Sequence, residues 1–287
     1  MSTAATERMD PALARGNTFK AADYRAEHFL WNVSDRVATL TLNRAERKNP
    51  ITFDSYAEMR DLFGRLRHAT DVHAVVLHGA GGNFCSGGDV HEIIGPLIKL
   101  KAPELLLFTR MTGELVKTMR RCPQPIVGLV HGAASGAGLA FALACDVRFA
   151  AEGARMNVAM SKVGLTGCDI GISYFLPRAV GASNAAEMML GGRFVDAAKA
   201  LRIGLVSEVV APDALEAAGA KMADEMLAMS PMGLRLTKEG LNLAQDAGSL
   251  EAAIALEDRG QVLCLLPNMQ EGASAFLEKR PARYSDA

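Results

Sequence analysis

Residues 123–146, PQPIVGLVHGAASGAGLAFALACD, are the stretch of sequence that decides the fold. Residues 126–130 form an apolar run that predicts a buried strand, the small residues 132–138 predict a tight turn, and residues 139–144 predict a buried helix. Small side chains allow a ligand to approach the backbone where the new helix exposes unpaired N–H groups, and such a helix start favours an anionic oxygen. A close-packed corner between strand and helix, without a ligand, is the alternative interpretation of this stretch alone.

A second unit of the same design lies earlier in the chain. Residues 73–78 (HAVVLH) predict another strand, and residues 79–89 (GAGGNFCSGGD) follow it as a glycine-rich loop. Two such loops can bring a pair of backbone N–H groups to one oxygen, which is the geometry that stabilises an oxyanion as it forms. Together the two units predict a site for a polarised carbonyl oxygen.

Several motifs, in this order along the chain, resemble the crotonase (enoyl-CoA hydratase/isomerase) superfamily. They are Asn43, Arg44, Lys48 and Asn49 in LNRAERKNPIT, the loop FCSGGDV, the block 125–151 and the segment GLVSEVV at 204–210. The resemblance covers residues 25 to 280 and implies an α/β fold, a crotonase-like spiral of ββα repeats with a C-terminal helical trimerisation region. It also implies an acyl-CoA substrate, with coenzyme A as part of the substrate and no permanently bound cofactor.

The resemblance also implies roles for particular residues. The backbone N–H groups of Ser86 and Ala137 would hold the thioester carbonyl oxygen and stabilise an enolate, and one such donor is worth about 3 to 4 kcal/mol in other enzymes. Arg47 and Lys48 are candidates for pairing with the phosphates of coenzyme A, with solvated surface charge as the alternative. Candidates for contact with the coenzyme A of a neighbouring subunit are Phe276 and Lys279, for which an exposed surface position is the alternative.

The acid and base groups depart from the hydratase pattern. Typical hydratases of the family carry two glutamates, and the matching positions here are Ala140 and Lys162. Asp169, between Gly167 and Gly171, is the candidate replacement, because a similarly placed aspartate transfers protons in the dienoyl-CoA isomerases. A carboxyl group among apolar neighbours has its pKa raised toward a useful value for acid and base catalysis. A cap on the helix that starts near Gly171 is the alternative role.

Three functional hypotheses follow from these residues. The first is an acyl-CoA enzyme of the enoyl-CoA hydratase type, working through an enolate that the two N–H groups stabilise. The second is an enoyl-CoA or dienoyl-CoA double-bond isomerase that uses Asp169, and the third is a non-catalytic acyl-CoA binder. Asp89 is interpreted as a helix cap, whereas His91 and Glu92 can point either into an acyl pocket or to solvent, and both interpretations stay open.

The composition argues against other classes of function. A formal charge of -1 gives no reason to expect nucleic acid or a membrane as partner. The cysteines are scattered and odd in number, and the histidines lack metal-binding spacing, so neither a disulfide framework nor a metal site is predicted. Reduced thiols and the lack of a signal pattern at the N-terminus indicate a cytoplasmic protein.

The chain divides into three predicted parts. Residues 1–22 are expected to be a flexible tail, residues 23–211 the core with the coenzyme A and acyl site, and residues 212–287 a helical region. The helical region is predicted to contain helices at 213–229, 231–244, 249–266 and 268–278. By the resemblance, it would assemble a homotrimer or a dimer of trimers.

Overall fold

The computed structural model describes residues 17–265 and 268–284. The strands, numbered in chain order, are β1 (Leu30–Ser34), β2 (Val37–Leu42), β3 (Ala74–Gly79), β4 (Ile126–Val130), β5 (Ala133–Ser135), β6 (Val147–Ala151), β7 (Arg155–Asn157), β8 (Val195–Asp196) and β9 (Glu208–Val210). The main helices are α1 (Phe53–Arg65), α2 (Ala102–Arg121), α3 (Ala137–Ala144), α4 (Ile172–Val180), α5 (Ala182–Gly191), α6 (Ala197–Arg202), α7 (Leu215–Leu227), α8 (Pro231–Ala244), α9 (Leu250–Leu265) and α10 (Asn268–Glu278).

The strands form two sheets, and the chain alternates between them. The larger sheet has the order β1-β2-β3-β4-β6-β9, in which only the β1–β2 pair is antiparallel, and the smaller sheet has the order β5-β7-β8. The chain passes from β4 to β5 and then into α3, and next from β6 to β7, so that each repeat contributes one strand to each sheet. This arrangement confirms the predicted α/β spiral of ββα repeats.

The stretch that decides the fold lies at the centre of the larger sheet. Strand β4 is buried throughout and pairs with β3 on one side and β6 on the other, and α3 is buried along its whole length. The predicted turn, however, contains the short strand β5, which pairs with β7. Its sequence, Ala-Ala-Ser, has weak strand propensity. The segment is a strand because it pairs with β7, and the local residues alone do not predict it.

The N-terminus of helix α1 is fixed by hydrogen bonds between neighbouring residues. The N–H of Ser55 donates to Oγ1 of Thr52 at 3.2 Å, and the N–H of Thr52 donates to Oγ of Ser55 at 2.8 Å. Thr52 is therefore the N-terminal cap of α1, in a reciprocal capping box with Ser55.

The larger sheet separates two apolar clusters. One face packs Leu40, Leu77 and Phe141 together with the glycine-loop residues Phe84 and Ala137. The other face packs Val76, Leu129 and Leu215 under helix α7. The two glycine-rich loops therefore belong to the face that α1, α2 and α3 cover.

Part of the predicted N-terminal tail packs on the core. Phe19 is 8% exposed, and its N–H donates to the carbonyl oxygen of His68 at 2.7 Å. Ala21 is buried, and its N–H donates to Oδ1 of Asp71 at 2.9 Å. Residues 1–16 of the predicted tail lie outside the described residues.

The C-terminal helices α7 to α10 occur close to their predicted positions. Helices α9 and α10 present large apolar side chains to solvent, and Phe276 and Leu277 are 83% and 80% exposed. A cavity of about 1000 Å³ lies between α8, α9 and α10 and is lined by apolar residues such as Leu236 and Met269. In the described residues we find no helix with the length and hydrophobicity required to cross a bilayer.

Candidate active site

The first glycine-rich loop, residues 84–89, uses most of its backbone N–H groups within the chain. Four of them donate to carbonyl oxygens: Phe84 to His131 at 2.8 Å, Cys85 to Ala133 at 2.9 Å, Ser86 to Lys48 at 3.0 Å and Asp89 to Ile51 at 2.8 Å. The N–H of Gly87 faces the sulfur of Cys85. Within the part of the chain that the structure describes, Gly88 is the residue of this loop whose N–H has no acceptor. It is therefore the N–H that this loop can offer to a ligand.

The bond from Ser86 to Lys48 conflicts with the donor role predicted for Ser86. The carbonyl of Lys48 is held in place because Lys48 and Asn49 both adopt left-handed backbone conformations, with φ of 67° and 53°. The side chain of Asn49 also donates to the carbonyl oxygen of Ala80 at 2.9 Å. The donor role of Ser86 stays a prediction, and in this structure its N–H is bonded to Lys48. Nothing in the local sequence signals this, because the competing carbonyl comes from a distant loop.

The second glycine-rich loop presents its N–H groups at the start of α3. Gly136 precedes the helix with φ 54°, and no side chain caps the helix start. The first intrahelical bond from this end is the N–H of Ala140 to the carbonyl oxygen of Gly136, at 3.1 Å. Among the described residues, the N–H of Ala137 has no acceptor, and its role as an oxyanion donor stays a prediction.

Glycines keep the two loops in contact. A Cβ on Gly138 would lie 2.2 Å from the carbonyl oxygen of Cys85, so a side chain has no room there. Gly87 has φ 103°, and a Cβ on it would lie 3.7 Å from the nitrogen of Ala137. The N–H of Gly88 follows Gly87 directly in the chain. Gly87, the residue before Gly88, therefore lies against the start of α3 at Ala137.

Asp169 lies in the loop that leads into α4 and is partly buried. Burial raises the pKa of its carboxyl group above the ordinary value, and a hydrogen bond from the N–H of Ile170, 2.9 Å from Oδ1, opposes the rise. Ile170 has φ 38°, which is unusual for a β-branched residue and marks local strain of about 1 to 3 kcal/mol. Among the described residues, no side chain donates a hydrogen bond to the carboxylate of Asp169. Its acceptor contact is with the N–H of the next residue, Ile170, and no side chain caps α4, which begins at Ile172.

The two positions that matched hydratase glutamates carry no acid. Ala140 is fully buried in α3. Lys162 is exposed, and its ammonium lies 5.3 Å from the centre of the Phe194 ring. Met160 is the residue of this turn that lies beside Gly136. The candidate groups are therefore two unpaired N–H groups, which could polarise a carbonyl, and the carboxyl group of Asp169, which could move a proton.

Charged residues tie the loop after β2 to the first glycine-rich loop. Arg47 lies 3.1 Å from Asp89 and 3.4 Å from Glu92, and Arg44 lies 2.6 Å from Glu92. The Asp89 side chain also caps the next helical turn by accepting from the N–H of His91 at 2.8 Å. Burial alone would raise the pKa of Asp89, but these N–H groups and guanidinium groups lower it below the ordinary value. Arg47 therefore has carboxylate partners already, and Glu92 is paired as well.

The remaining candidates for binding coenzyme A are exposed. In the described chain, no ion pair holds the ammonium group of Lys48, which leaves it available to a phosphate. Phe276 and Lys279 lie at the end of α10, and Lys279 has a left-handed backbone conformation with φ 53°. Among the described residues, no hydrogen bond or ion pair joins these two side chains to the glycine-rich loops.

Comparison with known proteins places this architecture in a family. The sequence model of the family described as enoyl-CoA hydratase/isomerase matches residues 32–287. The chain is 38% identical over 261 residues to the probable enoyl-CoA hydratase EchA12 of Mycobacterium tuberculosis (strain ATCC 25618 / H37Rv), covering 87% of this chain and 90% of that protein.

Two further relatives extend the comparison. The 1,2-epoxyphenylacetyl-CoA isomerase of Escherichia coli (strain K12) is 31% identical over 265 residues, covering 90% of this chain and 98% of that protein. A crystal structure from Streptomyces coelicolor A3(2) matches with a TM-score of 0.89 and 38% identity, covering 97% of this chain and 100% of that one. The relatives therefore include proteins named as hydratases and as isomerases.

Proposed function

The chain belongs to the enoyl-CoA hydratase/isomerase family, and on that premise we propose that it is an acyl-CoA enzyme of the enoyl-CoA hydratase type. The single observation that carries the proposal is the close contact between the two glycine-rich loops, of which one has an unpaired N–H at Gly88 and the other at Ala137. These donors would bind the thioester carbonyl oxygen. They would stabilise the negative charge that develops there when the acyl group becomes an enolate.

Asp169 is the group that moves the proton in this proposal. Its raised pKa brings the carboxyl group closer to the range in which it can both take and return a proton. In hydration, Asp169 accepts a proton from water while the water oxygen bonds to the β-carbon and the π electrons move to the carbonyl oxygen. The same carboxylic acid then returns the proton to the α-carbon, so that one water is added in full and a single carboxyl group suffices.

A second candidate function is a double-bond isomerase. It is favoured by the absence of an acid at both positions where hydratases of the standard type have glutamates, which leaves Asp169 as the candidate carboxyl group. In that reaction, Asp169 would take a proton from one carbon of the acyl chain and return it to another.

Coenzyme A would enter as part of the substrate, with Lys48 as the preferred phosphate contact because Arg47 is already paired. The exposed apolar surface of α9 and α10 supports the proposed homotrimer or dimer of trimers, since such surface is usually covered by a partner. Phe276 and Lys279 would then approach the coenzyme A of a neighbouring subunit. The free thiols of Cys85, Cys122 and Cys145 support the proposed cytoplasmic location.

Purified protein mixed with crotonyl-CoA or with a 3-enoyl-CoA tests the proposal. Loss of the conjugated enoyl absorbance with crotonyl-CoA indicates hydration, whereas gain of that absorbance with the 3-enoyl-CoA indicates isomerisation. Binding of acyl-CoA thioesters without turnover over a range of chain lengths would contradict both and favour the third hypothesis, a non-catalytic binder.

A further inference from the structure

The side-chain amide of Asn49 joins the two ends of the turn at residues 80–83, which begins the first glycine-rich loop. Asn49 is 1% exposed, and its Nδ2 atom donates to the carbonyl oxygen of Ala80 at 2.9 Å and to that of Asn83 at 2.6 Å. A Cβ on Gly79 would lie 2.6 Å from this Nδ2 atom, so the amide fits because residue 79 is a glycine. The amide therefore has an acceptor for each of its two N–H groups and holds both ends of the turn.

A second asparagine continues the connection to the second glycine-rich loop. Asn83 is half-buried, and its Oδ1 atom accepts from the N–H of Ala133, in strand β5, at 3.0 Å. A Cβ on Gly132 would lie 2.7 Å from this oxygen, so here too a glycine makes room for the amide. Strand β5 leads into α3, where the N–H of Ala137 is unpaired. The bonds of Asn49 and Asn83 thus run in sequence from the loop after β2 to the strand before α3.

The bond from Ala133 to Asn83 lies beside backbone contacts between the two loops. The N–H of Cys85 donates to the carbonyl oxygen of Ala133 at 2.9 Å, and the N–H of Ser135 donates to the carbonyl oxygen of Cys85 at 3.0 Å. The Asn83 side chain therefore extends a short ladder that joins the first loop to β5. The unpaired N–H of Gly88 follows Cys85 by three residues, so the position of this ladder helps to set where that donor lies.

The backbone conformation of Asn49 does not by itself require an amide side chain. Asn49 has a left-handed backbone with φ of 53°, which glycine and aspartate also adopt. Its Oδ1 atom is buried and has no hydrogen-bond partner among the described residues, and an unpaired buried acceptor destabilises a folded chain. What the amide supplies is therefore its two donor bonds to the turn.

We propose that Asn49 and Asn83 are positioning residues, which set the spacing of the two glycine-rich loops so that their unpaired N–H groups bind one carbonyl oxygen. The inference rests on the proposed function and adds two residues to it. Asn49 acts as a donor that fixes the start of the first loop, and Asn83 acts as an acceptor that fixes this loop to β5. A carboxylate can accept a hydrogen bond but cannot donate one. Replacement by aspartate should therefore be harmful at residue 49 and tolerated at residue 83.

Two variants at each position separate these roles in the hydration of crotonyl-CoA. Asn49→Asp places carboxylate oxygens against two carbonyl oxygens, and Asn49→Gly suits the left-handed backbone but lacks the amide. Both should lower kcat about 100-fold, as a small displacement of a catalytic group does, while KM changes only several-fold. Asn83→Asp keeps an acceptor for the N–H of Ala133 and should retain most activity. Asn83→Ala lacks this acceptor and should lose activity as the Asn49 variants do.

The infrared carbonyl stretch of bound butyryl-CoA, labelled with carbon-13 at the carbonyl, gives a readout that does not depend on turnover. Hydrogen bonds from the two donors polarise the carbonyl and should move this band to lower frequency in the wild type and in Asn83→Asp. The shift should be reduced or lost in Asn49→Gly and Asn83→Ala. A loss of stability alone would change neither this band nor kcat in the folded protein.

Asn184→Ala is the matched control, because the amide of Asn184 on α5 also donates to a backbone carbonyl, that of Val180 at 2.9 Å. It should leave kcat and the carbonyl band unchanged, and circular dichroism verifies the folding of each variant. If Asn49→Gly does not fold, the comparison of Asn83→Ala with Asn83→Asp decides the proposal, since Asn83 is half-buried.

The outcomes distinguish this inference from the proposed function. Unchanged kcat and carbonyl band in Asn49→Gly, or equal losses in Asn83→Asp and Asn83→Ala, would overturn the positioning role and leave the hydratase function intact. A wild type that shifts the band but turns over no enoyl-CoA would overturn the hydratase function alone, and the carbonyl bands of the variants would still decide the role of Asn49 and Asn83. A wild type that binds butyryl-CoA without shifting the band would overturn both the pair of donors and this inference.

Discussion

The N–H of Ser86 donates to the carbonyl oxygen of Lys48 over 3.0 Å. This bond removes Ser86 from the donors that a substrate can use and leaves the N–H of Gly88 unpaired in the same loop. In the second glycine-rich loop, the N–H of Ala137 is unpaired at the start of α3. The proposed function depends on these two donors being close enough to share one oxygen.

Gly138→Ala should separate the two loops and abolish most activity. The new Cβ would lie 2.2 Å from the carbonyl oxygen of Cys85, so either α3 or the first loop must move. Loss of one donor from an oxyanion hole lowers kcat by about 100-fold to 1000-fold, and we expect a loss of that size with crotonyl-CoA. Gly113→Ala in α2 is the control, because nothing lies within 4 Å of its Cβ position, and it should retain activity. Full activity in Gly138→Ala would contradict the paired-donor geometry.

The pH dependence of turnover should report the ionisation of Asp169. Hydration needs its carboxylate as the base, and burial raises its pKa above the ordinary value. We therefore expect kcat to fall as the pH is lowered through this raised pKa, at a pH above the ordinary aspartate value of about 3.9. Asp169→Asn should lose most activity, and its remaining kcat should no longer fall with pH in this range. Asp196→Asn, at the exposed cap of α6, should keep both the activity and its pH dependence. An unchanged pH dependence of kcat in Asp169→Asn would mean that another residue is the base.

Asp169→Asn should not destabilise the protein at neutral pH. A carboxyl group whose pKa is raised in the folded state binds its proton more tightly when folded. Its favourable contribution is present below the unfolded pKa and is lost as the pH rises through the folded pKa. Replacing the ionised group should therefore leave the free energy of unfolding equal or higher at pH 7, as measured by urea denaturation. A lower value at pH 7 would indicate that the carboxylate has a structural partner.

Restoring a glutamate at the hydratase position in α3 should damage the fold rather than create a catalytic group. Ala140 is fully buried among apolar residues, so the carboxylate of Ala140→Glu would have neither room nor a cationic partner. We expect a loss of several kcal/mol in the free energy of unfolding and no gain in hydration. Ala140→Leu, which adds volume without charge, separates the cost of overpacking from the cost of burying charge. A stable and more active Ala140→Glu would show that the site accommodates the standard pair of acids.

Lys48 and Arg47 should differ in their effects on coenzyme A binding. The ammonium of Lys48 is exposed, whereas Arg47 is paired with Asp89 at 3.1 Å. Lys48→Ala should raise the KM for crotonyl-CoA several-fold and change kcat little, and the effect should shrink at high salt. Arg47→Ala should mainly lower the melting temperature. The reverse pattern, with KM controlled by Arg47, would mean that the substrate phosphates displace the carboxylates.

The individual strands and helices were predictable because local patterns decide them, whereas the spiral architecture was implied by the resemblance to the crotonase superfamily. The apolar run of β4, the small residues after it and the helix starts all follow from residues next to each other, and the predicted elements occur within a few residues of their positions. Strand β5 could not be predicted, since its strand conformation depends on pairing with β7.

The site was only partly predictable for a similar reason. Asp169 and Ala137 could be selected from the sequence because each matches a motif position of the family that the chain resembles. The hydrogen bond from the N–H of Ser86 could not be predicted, because its acceptor, the carbonyl oxygen of Lys48, lies in a distant loop.

The most direct test of the central claim is a crystal structure of the protein with a non-reactive thioether or thioester analogue of an acyl-CoA that retains the carbonyl group. The account predicts that the carbonyl oxygen lies about 2.7 to 3.1 Å from the nitrogens of both Gly88 and Ala137, with the Ser86 to Lys48 bond intact. A carbonyl oxygen bound to the N–H of Ser86, or one held by neither loop, would contradict it.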